Sequence, residues 1–328
     1  MGAGAMGRQH AAVYAGMADV KVVGVFSRDF ERGRAVAALC HAEPCTDAGV
    51  LINDAGIDAI DVCLPSAVHH AFVIPALENG KHVFCETPLA LHLDDGRQML
   101  AAARRTGRLL QVGLLMRSVA AYAHIKIAAS SGIHGRLLSL ATYRLGSYLR
   151  PEARDHKTHY SDPSTELMTF DFDFVRWLMG PPTRLSATAV QQAHGGIGEI
   201  SALLSFDDGR HATVMASGLM PSGFPFSVGF RALFERAVFE LRTVFLDGPP
   251  ESRLTVFERD APARAVSLPN DDPYQVELKH FVDCIRGRTD VQLLDVERAV
   301  EALILSTATQ LALAGACPIE IGVLAKSL

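Results

Sequence analysis

Met1-Gly2-Ala3-Gly4-Ala5-Met6-Gly7 opens the chain with three glycines in the spacing Gly-x-Gly-x-x-Gly. Such a turn lets backbone touch a pyrophosphate at a helix N-terminus, which is the mark of a dinucleotide-binding loop. Glycine-rich turns are common, so the flanking sequence has to carry the reading. Arg8 to Met17 reads as a helix and Val20-Lys-Val-Val-Gly-Val-Phe26 as a short apolar, β-branched strand. Asp29 to Cys40 follows as a helix, Ile57 to Cys63 as a strand, His70 to Asn79 as a helix and Lys81 to Cys85 as a strand. This alternation means β-α-β units and a parallel sheet. The strand that should feed the glycine turn has no residues ahead of Met1. That strand is normally central in the sheet, so the reading expects a trimmed or wrong start. Without it, weak cofactor binding or poor stability is expected, and an upstream Val/Ile-rich stretch would remove the difficulty.

A chain of 328 residues suits two domains. The β-α alternation ends near Arg108-Leu-Leu-Gln-Val-Gly-Leu-Leu115, and after a linking helix, Val119 to Ser131, strands follow one another without helices between them. The expected fold is an α/β Rossmann domain over 1–118, its parallel sheet lacking or truncating the first strand. An α+β domain with an open, mainly antiparallel sheet is expected over 119–328. Asp271-Asp-Pro-Tyr274 reads as a helix cap with proline at the first position, and a last helix, 295–314, is expected to pack back.

With 31 basic and 36 acidic residues the formal charge is −5, which offers no basic surface for nucleic acid. None of the six cysteines forms a Cys-x-x-Cys pair, which fits a reducing cytosol. His69-His70, His156 and His159 lack the partners that a zinc site wants, so no metal is expected. No apolar stretch is long enough for a bilayer and no signal segment opens the chain, so a cytoplasmic protein without a membrane partner is expected.

Three further segments line up with one family: Cys63-Leu-Pro-Ser-Ala-Val-His69, Ala76 to Pro88 with its ending Glu86-Thr87-Pro88, and Asp173-Phe-Val-Arg-Trp-Leu-Met-Gly180. Together with the glycines they resemble the glucose-fructose oxidoreductase / inositol dehydrogenase family (Gfo/Idh/MocA), over essentially the whole chain. The resemblance implies NAD(P)-linked hydride transfer on sugars, polyols or related small alcohols and carbonyls. It also implies a sheet face that makes a homodimer or homotetramer. On the family pattern, Gly2, Gly4, Ala5, Met6, Gly7, Pro65, Ser66, His69, Glu86 and Pro88 would meet the cofactor.

The cofactor type is read at the end of the second strand. A carboxylate there would bind a ribose 2′-hydroxyl and repel a 2′-phosphate. Ser27-Arg28 stands in that place, and a hydroxyl with a guanidinium suits a phosphate, so NADP(H) is expected ahead of NAD(H). The competing reading has Ser27 capping the next helix and Arg28 solvated, and Asp29 is open as a first-turn carboxylate or as a contact to a ribose.

Two departures from the family bear on chemistry. The family's Glu-Lys-Pro lysine is Thr87 here, which is counted with His159, Tyr160 and Asp173 as a candidate catalytic residue, and its acid/base histidine falls on Phe170, with Glu166 and Asp173 flanking it in the aligned places. General acid-base catalysis typically contributes ~10²–10⁴-fold, so another group should serve. The polar loop Arg154-Asp-His-Lys-Thr-His-Tyr-Ser-Asp162 offers His159 and Tyr160, with Asp173 or Glu166 to orient them, or else is merely a solvated loop. Arg117, Glu166 and Phe170 are the candidate substrate contacts, Arg117 to a carboxylate or hydroxyl. The expected function is an NADP(H)-dependent oxidoreductase with atypical catalytic residues. The alternative is a dinucleotide-binding sensor that has lost catalysis.

Overall fold

A computed structural model describes residues 1–147, 162–192 and 196–327. They fall into two compact units, Met1–Val119 with Asp271–Leu303, and Ala120–Asn270 with Ile304–Leu328. The first unit alternates α1 (Ala5–Ala15), β1 (Gly24–Phe26), α2 (Phe30–Ala37), β2 (Glu43–Cys45), α3 (Ala48–Asn53), β3 (Ala59–Val62), α4 (His69–Glu78), β4 (His82–Cys85), α5 (Leu93–Thr106) and β5 (Leu110–Val112). Every strand pair in it is parallel, as the alternation predicts, but the strands form two sheets: β1-β2 and β3-β4-β5. The expected strand Val20–Phe26 is regular only from Gly24. A strand needs partners for its backbone groups, and β1 has a strand neighbour on one side only.

Local chemistry sets the helix ends. Asp29 caps α2 by accepting from Arg32 N at 3.1 Å, and Asp47 caps α3 from Gly49 N at 2.8 Å. Helix α5 carries Asp94 and Asp95 in its first turn and Arg104 and Arg105 in its last, matching the helix dipole at both ends, and stops at Gly107 with φ +64°.

The second unit holds α6 (Ala120–Ser131), β6 (Leu137–Leu145), α7 (Pro163–Glu166), α8 (Met168–Met179), β7 (Arg184–Gln191), β8 (Ile197–Ser205), β9 (His211–Ser217), β10 (Phe226–Phe234), β11 (Ala237–Phe245), β12 (Glu251–Glu258) and β13 (Arg264–Ala265). Then come α9 (Pro273–Ile285), which packs in the first unit, α10 (Val296–Gly315), β14 (Ile319–Glu320) and α11 (Ile321–Ser327). The strands make one nine-stranded sheet, β13-β12-β11-β10-β6-β9-β8-β7-β14, antiparallel except for β6 beside β9. Tyr122 of α6, Phe174 of α8 and Phe230 of β10 stack edge-on or tilted with centroids 4.6–5.3 Å apart, which ties the helices to the sheet. Asp272 caps α9 from Tyr274 N at 3.0 Å with Pro273 in its first turn, as the Asp-Asp-Pro-Tyr pattern predicts. Among the described residues no helix is long and apolar enough to cross a membrane.

Candidate active site

The glycine turn leads into α1, and each glycine does a different job. Gly2 has φ +107°, and a side chain on it would run into the Cys63 carbonyl; one on Gly7 would overlap the Gly2 carbonyl. Those two are required by the packing of the turn itself. Gly4, the N-cap, has an ordinary φ of −79° and nothing within 4 Å of where its Cβ would stand. The α1 N-terminus has no side-chain cap and no acid in its first turn, so the amides behind Gly4, Ala5 and Met6 are not capped from the helix itself. This end fits a pyrophosphate: open space in front, amide donors and the positive end of the helix behind.

At the end of β1, Ser27 Oγ accepts from Asp29 N at 3.2 Å, and Arg28 is exposed. It is Asp29, rather than Ser27, that caps α2. After β3, Pro65 precedes a 3-10 turn over Ser66–Val68. His69 is fully buried; its Nε2 lies 2.7 Å from Leu64 O and its Nδ1 3.1 Å from Leu89 O, so the ring ties the β3 loop to the segment after β4. Burial pushes its pKa down. Arg117, also buried, donates from Nη1 to Leu293 O at 3.0 Å.

Glu86-Thr87-Pro88 follows β4, with a cis peptide between Thr87 and Pro88. Thr87 donates its hydroxyl to Gly113 O at 2.6 Å, and Glu86 Oε2 accepts from Thr87 N at 3.0 Å. A side chain on Gly113 would crowd the Glu86 carboxylate, so that glycine makes room for it. The other Glu86 oxygen, Oε1, stands 2.9 Å from Nε2 of His10, whose Nδ1 in turn lies 2.9 Å from Asp61 Oδ2. The Cys63 thiol donates to Asp61 Oδ1 at 3.2 Å. Asp61, His10, Glu86 and Thr87 thus form one polar line from β3 through α1 to the end of β4.

Burial alone would lower the pKa of His10, but the Asp61 charge and hydrogen bond raise it well above the usual histidine range. Burial alone would raise that of Asp61; His10 outweighs it and holds the carboxyl at about 2. The protonated ring can donate from Nδ1 to Asp61, while Nε2 lies beside Glu86 Oε1 with no hydrogen bond formed between them. Glu277 of α9 is fully buried beside this line, and burial together with the Glu86 charge pushes its carboxyl well above the usual range. His10 with Asp61 and Cys63, and His10 with Glu86 and Glu277, are two groups whose ligand-type atoms lie within 4.8 Å of one another.

The first unit therefore brings together the glycines, Ser27, Arg28, Pro65, Ser66, His69, Glu86, Thr87 and Pro88 at the strand ends and helix starts. In the second unit, Phe170 lies under the Arg144 guanidinium at 4.6 Å, and Asp173 is buried on the same helix. Glu166 Oε2 accepts from Asp162 N at 3.2 Å. His159 and Tyr160 lie outside the described residues. Sequence reasoning missed His10, Asp61 and Glu277. Asp61 carried a signal, an acid within the apolar run Ile57 to Cys63, and His10 stands on the face of α1 three residues beyond Gly7 that must be buried.

Residues 1–114 match the model of an oxidoreductase family with an NAD-binding Rossmann fold, and residues 122–239 match the GFO/IDH/MocA C-terminal domain. The chain belongs to the Gfo/Idh/MocA family. Family members are NAD(P)-dependent oxidoreductases, and this chain is an enzyme of that class. It is 24% identical over 263 residues to scyllo-inositol 2-dehydrogenase (NAD(+)) of Bacillus subtilis, covering 76% of this chain and 74% of that one. With inositol 2-dehydrogenase 1 of Saccharopolyspora erythraea it shares 34% identity over 191 residues, 55% of this chain and about half (53%) of the other. UDP-N-acetylglucosamine 3-dehydrogenase of Acidithiobacillus ferrooxidans has the same fold, with a TM-score of 0.81 at 23% identity and 96% of each chain covered.

Proposed function

We propose that this enzyme uses NADP(H) to interconvert a hydroxyl and a carbonyl on an inositol-like polyol or a related small sugar. The observation that carries the dinucleotide part is the uncapped α1 N-terminus behind the open space at Gly4. The phosphate preference is supported by Ser27 and the exposed Arg28 at the end of β1, next to Asp29, which gives one carboxylate oxygen to Arg32 N. Names of the relatives support the substrate class, although the Bacillus subtilis relative is named for NAD(+). When bound, the nicotinamide supplies or accepts the hydride.

The chain's own residues hold and orient. The α1 amides bind the pyrophosphate, Gly2 and Gly7 keep the turn tight, and Ser27 with Arg28 receives the 2′-phosphate. Pro65, Ser66, Glu86 and Pro88 shape the walls at the ends of β3 and β4. Thr87 holds those walls together through Gly113 O, since its proton is already donated there. The proton step falls to His159 or Tyr160, oriented by Asp173 or Glu166, while Arg117 and Phe170 border the substrate. The enzyme is a homodimer or homotetramer in this reading.

The test separates binding from turnover. Gly4→Val should fold normally, because space is open there, yet lose dinucleotide binding by fluorescence titration. Unchanged binding in that variant rejects the α1 site. A panel of inositols and sugars should give turnover with a lower KM for NADPH than NADH, and Arg28→Ala should raise the KM for NADPH alone. A preference for NADH overturns the cofactor choice, and binding without turnover across the panel overturns the activity.

A further inference from the structure

Three neighbouring side chains of the first unit hold polar atoms that nothing satisfies. His10 Nε2, Glu86 Oε1 and both carboxyl oxygens of Glu277 are buried and meet no hydrogen-bond partner among the described residues. One ligand-type atom from each of the three residues lies within 4.8 Å of the other two, and Nε2 and Oε1 stand 2.9 Å apart without bonding. Glu277 is fully buried, and the rings of Phe84 and Tyr274 flank His10 with centroids 5.7 and 6.1 Å from its own. Bulk water therefore does not serve these atoms, and buried polar groups without partners are rare enough to need a reason.

The far side of two of these ligands is already held. His10 Nδ1 lies 2.9 Å from Asp61 Oδ2, and Glu86 Oε2 accepts from Thr87 N at 3.0 Å. A metal-bound histidine commonly donates its other ring nitrogen to a carboxylate, which fixes the tautomer and leaves the facing nitrogen its lone pair. The neighbouring group of His10, Asp61 and Cys63 differs, because its atoms bond one another: the Cys63 thiol donates to Asp61 Oδ1 at 3.2 Å, and Asp61 Oδ2 faces Nδ1. Three carboxyl groups around one imidazole are also an excess of negative charge, which a water molecule does not offset and a divalent cation does. In the metal-free chain, protons on His10 and Glu277 balance that charge. A divalent cation replaces both protons and leaves the net charge unchanged.

The spacing points to the kind of ion. Ligand atoms about 2.1 Å from a metal are ~3.0 Å apart at the right angles of an octahedron and ~3.4 Å apart at tetrahedral angles. The 2.9 Å between Nε2 and Oε1 matches the octahedron. An imidazole among the carboxylates favours a transition metal over magnesium or calcium. We propose that His10, Glu86 and Glu277 hold one octahedral divalent transition-metal ion of the manganese(II) type, buried between α1, the end of β4 and α9. The ion is structural: it fastens α9 to the two segments that carry the glycine turn and the Glu86-Thr87-Pro88 turn. Its ligands come from three distant places in the chain, so sequence spacing gives no sign of it. The proposal does not rest on the cofactor or substrate reading.

The test titrates Mn²⁺, the probe used, into the chelator-treated full chain. Binding should be stoichiometric, read as loss of the EPR signal of the free ion. At ~100-fold excess over the Kd the Tm should rise by roughly 5 °C or more. Pulsed EPR of the bound ion should show coupling to an imidazole nitrogen. Glu277→Gln keeps the shape of the side chain, so it should retain the circular dichroism spectrum of the parent and weaken Mn²⁺ binding by about a hundredfold or more. His10→Gln should abolish the nitrogen coupling. Absence of stoichiometric binding overturns the proposal, as does equal binding by Glu277→Gln. Bound Mn²⁺ without nitrogen coupling in the unaltered chain overturns it too, and that measurement needs no variant to fold.

Discussion

Two ion pairs, His10 with the half-buried Asp61 in the first unit and the buried Arg144–Asp171 in the second, show that an opposite charge does not by itself decide which way a carboxyl's pKa moves. Nitrogen and oxygen are 2.9 Å apart in the first pair and 2.6 Å in the second. Yet the Asp61 carboxyl is held down at about 2, whereas burial pushes that of Asp171 up in spite of Arg144. The two acids differ in burial, Asp61 half-buried and Asp171 fully buried, and in the partners of their second oxygens. Asp61 uses Oδ1 for the Cys63 thiol and Oδ2 for His10. Asp171 Oδ1 and Arg144 Nη2 meet no hydrogen-bond partner among the described residues. A desolvated charge is stabilised only when its lone pairs are satisfied as well as its sign.

Removing the cation from each pair should separate them most clearly. His10→Ala leaves the half-buried Asp61 and Glu86 without the imidazolium, and should cost about 3–5 kcal/mol in urea unfolding. Arg144→Met leaves a buried carboxyl whose pKa burial already raises, and which can take up a proton, so the cost should be nearer ~1–3 kcal/mol. Equal losses in the two variants would break the distinction.

The next effect is in pH. His10 is raised above its ordinary 6.5, so its stabilisation is complete below that value and is lost as pH rises toward the folded pKa. Glu277, raised above its ordinary 4.5, acts in the same direction from a lower starting pH. Asp61 acts oppositely: its contribution is present above 3.8 and is lost as pH falls to about 2. Stability should therefore decline on going from about pH 5 to about pH 8, by at most about 1.4 kcal/mol per pH unit for each group. Glu277→Gln, which mimics the neutral carboxyl, should flatten the slope in urea titrations at the two pH values. An unchanged slope would mean that Glu277 is ionised in the folded chain.

Much of the fold was legible because its signals are local. Glycine spacing marked the α1 turn, strands in succession without helices between them marked the nine-stranded sheet, and Asp272-Pro273 marked the start of α9. The polar line was not legible, because Asp61, His10, Glu86 and Glu277 come from four elements and meet only through packing. Nor could sequence show that α9, after the whole antiparallel run, packs in the first unit and brings Glu277 beside Glu86. Reading Thr87 only as a lost lysine missed its bond to Gly113 O, since the ends of β4 and β5 are 26 residues apart in the chain.

Thr87 gives the smallest effect and the finest test of what satisfied hydrogen bonds are worth at these strand ends. Thr87→Val should cost about 1 kcal/mol through loss of the bond to Gly113 O, and Thr87→Ser should recover most of it. Because that proton is already donated to a carbonyl, the shape of the pH profile for turnover should be the same in both variants and in the parent. If Thr87→Val shifts a limb of the profile that Thr87→Ser restores, the hydroxyl leaves Gly113 during the reaction. The bond would then be a resting contact of a proton-handling group rather than a tie between strands.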